Sequence, residues 1–292
     1  MVLHLLLLLL LLSLVHLRPT LAASATKIAL PDCPDSCGNI TIPYPFGLVP
    51  GCFTTGFGLT CNDTYDPPKL FIGTGNIEIT LISPEHVFVR GGIARDCYNE
   101  PLTESHAWIN LNSRPYTFSY VRNKFTAIGC DAVALVYRLD NLDSTFFASG
   151  CMSLCRNADS VVNGSCSGIG CCQTAIPKGL KRFDTRLQNF NNHSRTWSFS
   201  PCSYAFLIDA EEYEFDVSDF YNFHQKTRVP VVLDWAVGTQ TCAEAERDQS
   251  LLCGAKSKCL ESTNGPGYRC SCIDGYQGNP YLSDGCQGTA IS

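Results

Sequence analysis

The chain has 292 residues, of which 45% are hydrophobic, so it can bury a core and is not mainly disordered. Its net charge of −6 excludes the broad positive surface that nucleic acids or anionic membranes require. Eighteen cysteines, an even number, favour an oxidising compartment in which they pair.

The N-terminus predicts a secretory signal peptide over residues 1–23. An unbroken run of leucines, Leu5 to Leu12, is followed by Arg18, Pro19 and small residues. A membrane anchor is the alternative, but a span needs about 20 apolar residues and this run is shorter. We therefore expect a secreted, extracellular protein with no membrane span.

Four N-glycosylation sequons agree with secretion, since Asn-x-Ser/Thr is an acceptor in the secretory pathway and lies at the surface. The acceptor residues are Asn39, Asn62, Asn163 and Asn192.

Short runs rich in β-branched and aromatic residues, cut by Gly, Pro and Asn, follow from residue 32 to residue 241 and predict strands. They are Ile77–Ile82, His86–Val89, Tyr116–Val121, Ala132–Leu139, Ser203–Ile208, Tyr213–Val217 and Pro230–Val237. One short helix is predicted within Val217–Phe223. The fold class is therefore mostly β, a disulfide-rich, strand-dominated N-terminal module followed by a small second module.

The acidic run from Asp209 to Asp219 contains paired carboxylates, which glycoside hydrolases use. Read as a strand, however, Glu212, Glu214 and Asp216 share one face, and the apolar residues between them share the other. We expect a solvated face over a core face, and no enzyme activity.

Adjacent Cys171 and Cys172 are predicted to join two different segments, because a disulfide between neighbours strains a trans peptide.

The last six cysteines have intervals of 10, 5, 10, 1 and 13 residues. This pattern, followed by Gly275 and Tyr276, resembles an EGF-like domain over residues 242–287, with a short tail at 288–292. The resemblance implies three disulfides: Cys242–Cys259, Cys253–Cys270 and Cys272–Cys286. No carboxylate precedes Cys242 in residues 236–241, so the calcium ligands of calcium-type EGF domains are missing and no metal or cofactor is expected.

The segment Cys33–Asn39 runs into Ile42–Gly47 and then Cys52 and Cys61. Together with Cys166–Gln173, Ile176–Leu180 and Pro201–Phe206, this order resembles the ectodomain of plant wall-associated receptor kinases. The resemblance implies a galacturonan-binding-like module at 32–100 and a second cysteine-rich β segment at 101–241. Family receptors continue into a membrane helix and a kinase. The sequence after Gln287 has neither, so kinase activity is not expected.

The same resemblance implies pectic polysaccharide, a galacturonan of the plant cell wall, as the ligand. Arg90 and Arg95 are the candidate contacts by resemblance, and Lys178, Lys181 and Arg182 by local density of charge. Tyr44 and Phe46 lie on a proline-stiffened segment and form either an aromatic platform for a sugar or part of the core. Two alternatives remain open: a protein-interaction module that acts as a soluble partner or decoy of related receptor ectodomains, and a truncated receptor kinase ectodomain.

Overall fold

The computed structural model describes residues 27–100, 106–138 and 147–289. The predicted signal peptide lies outside these residues, as does Leu139 at the end of a predicted strand. The described residues form antiparallel sheets with short helices between them, which confirms the mostly β, disulfide-rich class.

Sheet 1 has six antiparallel strands. They are β3 Leu59–Asn62, β4 Lys69–Ile72, β5 Glu78–Ile82, β6 His86–Gly91, β9 Tyr116–Phe118 and β16 Val229–Trp235. Their order in the sheet is β3-β4-β5-β6-β16-β9. Along β6, Val87 and Val89 are fully buried while Arg90 is exposed, because alternate side chains point to opposite faces of a strand.

Sheets 2 and 3 have four antiparallel strands each. The strands of sheet 2 are β7 Ala94–Cys97, β10 Asn123–Ile128, β13 Cys171–Ala175 and β15 Cys202–Asp209. Those of sheet 3 are β8 His106–Asn110, β11 Asp131–Arg138, β12 Phe147–Leu154 and β14 Arg182–Gln188. The strand orders are β13-β10-β15-β7 and β12-β11-β14-β8. Strand β15 is buried along its whole length, so it forms the centre of the molecule.

Three two-stranded hairpins and four short helices complete the described fold. The hairpins are β1 Ser36–Cys37 with β2 Ile40–Thr41, β17 Ser257–Glu261 with β18 Tyr268–Cys272, and β19 Tyr276–Gly278 with β20 Cys286–Gly288. The helices are α1 Asp219–Asn222, α2 Cys242–Arg247 and the 3-10 turns Ala158–Ser160 and Phe223–Gln225. In the described part of the chain no helix is long and apolar enough to cross a membrane.

One strand prediction is wrong. Residues 213–216 belong to no sheet, and Val217 lies in a turn. Their backbone bonds a neighbouring loop instead: the Phe215 carbonyl accepts from the amide of Gly164 over 2.8 Å, and the Val217 amide donates to Asn163 Oδ1 over 2.8 Å. The predicted alternation of burial still holds, since Phe215 is buried while Glu214 and Asp216 are exposed. The short helix predicted within 217–223 is present as α1.

All eighteen cysteines lie in nine disulfides. The adjacent Cys171 and Cys172 bond Cys166 and Cys151 respectively, so the pair joins two segments as predicted. The C-terminal bonds are Cys242–Cys259, Cys253–Cys270 and Cys272–Cys286. The remaining bonds are Cys33–Cys52, Cys37–Cys61, Cys97–Cys202 and Cys130–Cys155.

The segment predicted as an EGF-like domain, residues 242–287, is held by two buried asparagines against the sheets formed by residues 27–241, here called the β module. Asn264 donates its Nδ2 to the Phe118 carbonyl over 2.9 Å, and its Oδ1 accepts from the Gly179 amide over 2.7 Å. Asn279 donates its Nδ2 to the carbonyls of Ile28 and Tyr44, each over 2.7 Å. A buried polar group needs such partners, so these bonds define the relative position of the two domains.

Candidate functional site

A groove of about 630 Å³ opens where the edges of the three sheets meet. Its wall is formed by the β4–β5 turn, the ends of β6 and β7, strand β8 and the segment that precedes β16. The volume lies within the range of roughly 300–1,000 Å³ that is typical of ligand pockets.

The groove is strongly cationic. Five cations line it, and none of the residues that line it is Asp or Glu. In a chain whose net charge is −6, this is a local reversal of sign. A cleft lined by one sign of charge concentrates ligands of the opposite sign, here polyanions. The five cations are Arg90, Arg95, Arg114, Lys226 and Arg228.

The two arginines that the family resemblance selected both line this groove. Arg90 lies opposite Pro230 of β16, is exposed, and has no carboxylate within ion-pair distance in the described part of the chain. Arg95 lies opposite Tyr204 of β15 and forms an ion pair with Glu100 over 2.8 Å. Arg90 is therefore the more available of the two for a ligand carboxylate.

The other three groove cations come from segments distant in sequence. The guanidinium of Arg114 packs over Gly73, which has a φ of +56° and no room for a side chain. The Lys226 ammonium lies 4.7 Å from the Phe223 ring centroid and 3.9 Å from an Asp219 oxygen. Arg228 is exposed.

Trp108 adds an aromatic surface to the groove. It lies on β8 opposite Asp184 of β14, and 63% of its surface is exposed. An indole exposed to this degree beside a cavity is a common feature of binding sites. At the groove wall, burial raises the pKa of Tyr204 to about 12, so its hydroxyl stays protonated and neutral.

The second group of candidate ligand contacts, Lys178, Lys181 and Arg182, does not form one surface. Lys178 is exposed and lines neither the groove nor the cavity beside the EGF-like domain. Lys181 points its ammonium at the carbonyl of Arg114 over 2.7 Å and lines that separate cavity. Arg182 forms an ion pair with Asp184 over 3.0 Å. The density of charge in the sequence therefore does not create one cationic surface here.

The aromatic platform is excluded for Phe46. Its side chain is 1% exposed and packs edge-to-face on Phe57 and Trp235, with ring centroids 5.1 Å away in both cases. Tyr44 is half-buried against the same core, and its hydroxyl accepts from Thr54 Oγ1 over 3.0 Å. Both rings therefore belong to the core or pack against it, as the core alternative expects.

The acidic run and the EGF carboxylates have structural partners. Asp209 is bonded by Arg122 over 2.7 Å, and the Tyr213 hydroxyl donates to Asp219 over 2.9 Å. Glu261 accepts from the Cys242 amide over 2.9 Å, and Glu244 accepts from Thr241. Across residues 27–100, 106–138 and 147–289, no group of three His, Cys, Asp or Glu side chains could hold a metal ion.

The four sequon asparagines lie at or near the surface. Asn39, Asn163 and Asn192 are exposed and Asn62 is partly exposed. None of them lines the cationic groove, so glycans at these positions would leave its wall uncovered.

Comparison with known proteins assigns two regions to families. Residues 33–90 match the family described as wall-associated receptor kinase galacturonan-binding, and residues 163–243 match the family described as wall-associated kinase. Neither match is to a kinase domain. No solved structure matches the chain.

Curated relatives from Arabidopsis thaliana match most of the chain. Wall-associated receptor kinase 2 is 37% identical over 261 residues, which covers 88% of this chain and 34% of the relative. Wall-associated receptor kinase 5 is 37% identical over 270 residues with the same coverage. Wall-associated receptor kinase-like 6 is 29% identical over 287 residues, or 87% of this chain and 44% of the relative. The chain spans about a third of the length of the first two.

Proposed function

Because the chain belongs to the wall-associated receptor kinase family through its ectodomain regions, we propose that it is an extracellular, non-enzymatic module that binds pectic polysaccharide in the cationic groove. The ligand is a galacturonan, a polymer whose repeating sugar carries a carboxylate. The natural setting is the plant cell wall.

The observation that carries this proposal is the charge of the groove. It holds five cations and no Asp or Glu, while the whole chain has more acidic than basic residues. Arginine presents several N–H donors in a fork that matches both oxygens of a carboxylate, and four of the five cations are arginines. A neutral polysaccharide would lack the charge-assisted bonds that this wall offers.

Trp108 supplies the second component of sugar recognition. An exposed ring can pack against the apolar C–H face of a sugar while the arginines bond its carboxylates. The exposed indole and the exposed Arg90 both line the groove, so one uronate chain would touch both kinds of group.

The test compares demethylated oligogalacturonide with its methyl ester, which keeps the sugar shape and removes the charge. Binding to the demethylated form should be tighter and should weaken as salt rises, because the Debye length falls from about 10 Å at 0.1 M to about 3 Å at 1 M. The double substitution Arg90→Gln with Arg228→Gln should weaken it by at least about tenfold, as expected when two charge-assisted hydrogen-bond donors are removed.

The matched control is Lys258→Gln, which removes one exposed cation on β17 of the EGF-like domain, away from the groove. It should bind as the unaltered protein does. Equal affinity for the acid and the ester would contradict charge recognition, and so would an equal decrease in the control.

A protein-binding role is the alternative that one structural feature favours. The open face of sheet 3 exposes Leu135, Met152 and Leu154, with 37%, 52% and 40% of their surfaces in solvent. An apolar sheet face of this kind suits a protein partner. Binding to neither form of oligogalacturonide, by correctly disulfide-bonded protein, would favour this role, with a related receptor ectodomain as partner.

A further inference from the structure

A second cavity of about 310 Å³ lies at the junction of the β module and the EGF-like domain. The β module contributes Thr55, Ser113, Arg114 and Lys181, and the EGF-like domain contributes Ser262 and Asn264. Arg114 also lines the cationic groove, so the two cavities have one lining residue in common.

Lys181 is the distinctive residue of this junction cavity. Its ammonium has no carboxylate within ion-pair distance in the described residues, and its one protein partner is the carbonyl of Arg114 at 2.7 Å. An ammonium has three N–H donors, so two directions remain open. Burial lowers the pKa of Lys181, which is the effect of partly desolvating a charge that has no counter-ion.

The position of Lys181 is held by its backbone. The Lys181 carbonyl accepts from the Leu111 amide over 2.7 Å, and the neighbouring Leu180 carbonyl accepts from the Phe118 amide over 2.9 Å. These bonds clamp the residue between two segments, so its side chain emerges into the cavity from a rigid frame.

The rest of the wall suits an acidic sugar. Hydroxyl side chains that can donate or accept hydrogen bonds come from both domains, and none of the residues that line the cavity is Asp or Glu. The hydroxyl residues are Thr55, Ser113, Thr117, Thr239 and Ser262. The volume is at the lower end of the roughly 300–1,000 Å³ seen for ligand pockets, which is appropriate to one sugar unit and not to a long chain.

We propose that the junction cavity is a second carboxylate site, in which Lys181 receives one uronate unit of a polysaccharide that also occupies the groove. The inference rests on the proposed function, because it assigns the same polymer to both cavities. Arg114 connects the two sites, and a chain that fills both touches the β module and the EGF-like domain at once. Ligand binding therefore also tightens the domain junction.

The experiment measures affinity against chain length, from the galacturonate monomer upward, in Lys181→Met and Lys181→Gln. Met keeps the length of the side chain without the charge, and Gln keeps an amide donor. Short oligomers that fill only the groove should bind these variants as they bind the unaltered protein. Longer oligomers should bind Lys181→Met about tenfold more weakly than the unaltered protein, because Met removes one charge-assisted hydrogen bond to the ligand. Lys181→Gln, which keeps a donor but not the charge, should bind them with an affinity between those two.

Two controls show whether a loss of binding comes from the junction cavity. The first tests whether the variants still fold, and the second tests the groove alone. The melting temperature of both variants should stay close to that of the unaltered protein, because loss of the bond to the Arg114 carbonyl is offset by removal of a partly buried charge that has no counter-ion. Arg90→Gln with Arg228→Gln should weaken the binding of oligomers of every length. The inference is overturned if the Lys181 variants bind oligomers of all lengths normally, or bind them all more weakly by the same factor.

NMR of the labelled lysine side chains distinguishes failure of the junction from failure of the groove. Lys181 should shift on addition of the longer oligomers and stay unshifted with the monomer. An unshifted Lys181 with a long oligomer that the groove binds overturns the junction site alone, and no binding of any oligomer overturns the groove assignment.

Discussion

Asn264 of the EGF-like domain donates a hydrogen bond from its Nδ2 to the carboxylate of Asp234 in β16, over 2.7 Å. The same side chain bonds Phe118 and Gly179, and its backbone carbonyl accepts from Thr117 Oγ1 over 2.9 Å. Asn264 is 2% exposed, and its bonds to Phe118 and Thr117 are buried. The EGF-like domain is thus anchored in the β module by a side chain, in addition to the chain that connects them.

Asn264→Ala should loosen this junction. The change leaves the Gly179 amide and the Phe118 carbonyl without their side-chain partner and removes one of the hydrogen bonds to the Asp234 carboxylate. One unsatisfied buried group costs about 1–3 kcal/mol. We expect a clear fall in melting temperature and faster protease cleavage in residues 238–241. Asn222→Ala is the matched control, since Asn222 is exposed and makes no side-chain cap bond. If both variants melt and cleave alike, Asn264 does not hold the domains together.

Acid should weaken the same junction through Asp234. Burial raises the pKa of Asp234, but hydrogen bonds from His86, Asn264 and Ser119 lower it by more, so the net pKa lies below the ordinary value. A carboxylate with a depressed folded-state pKa stabilises the fold above its unfolded pKa, near 4, and this stability is lost as the pH falls through the folded pKa. Asp96 is shifted in the same direction and acts with the same sign.

The measurement is urea denaturation of the unaltered protein and of Asp234→Asn across a pH series. The unaltered protein should lose stability steeply below about pH 4, and the variant, which has no proton to gain at this position, should lose less. Glu212→Gln removes an exposed carboxylate from the acidic run and should leave the acid profile unchanged. Identical profiles for all three proteins would refute the role of Asp234.

Local patterns predicted the strands better than they predicted the groove. His86–Gly91 follows the expected alternation because burial on one face is a property of the segment itself. In Glu78–Ile82 a register shift between Ile79 and Leu81 interrupts the alternation, so Ile79 and Ile82 are buried and Leu81 is exposed. Residues 213–217 alternate too, but sheet membership needs a partner strand, and a loop takes that place. Trp108 and Arg228 meet Arg90 only after three sheets have packed, so no sequence window contains the groove. Density of charge did not predict one continuous cationic surface, because Lys181 lines the junction cavity whereas Arg182 pairs with Asp184.

Gly73→Ala should reduce ligand binding by displacing Arg114. A methyl group at Gly73 collides with the Arg114 guanidinium, which must then leave its position in the groove wall. Gly51→Ala is the control, because Gly51 also has a positive φ, +89°, and nothing lies within 4 Å of the added carbon. Both variants should lose about 1 kcal/mol of stability from the left-handed backbone. Only Gly73→Ala should weaken binding of demethylated oligogalacturonide. Equal binding by the two variants would place Arg114 outside the binding surface.

Trp108→Ala should separate ring packing from charge recognition. The indole is 63% exposed, so its removal costs little stability, and it carries no charge that would distinguish an acid from its ester. We expect affinity to fall about threefold to tenfold for both demethylated and methyl-esterified oligogalacturonide, the range typical of one aromatic interaction. Arg90→Gln should weaken binding of the demethylated form only.

Trp197→Ala provides the matched control, since Trp197 is 55% exposed, stacks on Tyr98 and does not line the groove. A decrease for Trp197→Ala as large as for Trp108→Ala would show that the effect is not specific to the groove. Unchanged affinity in Trp108→Ala would leave the arginines as the whole of the recognition surface.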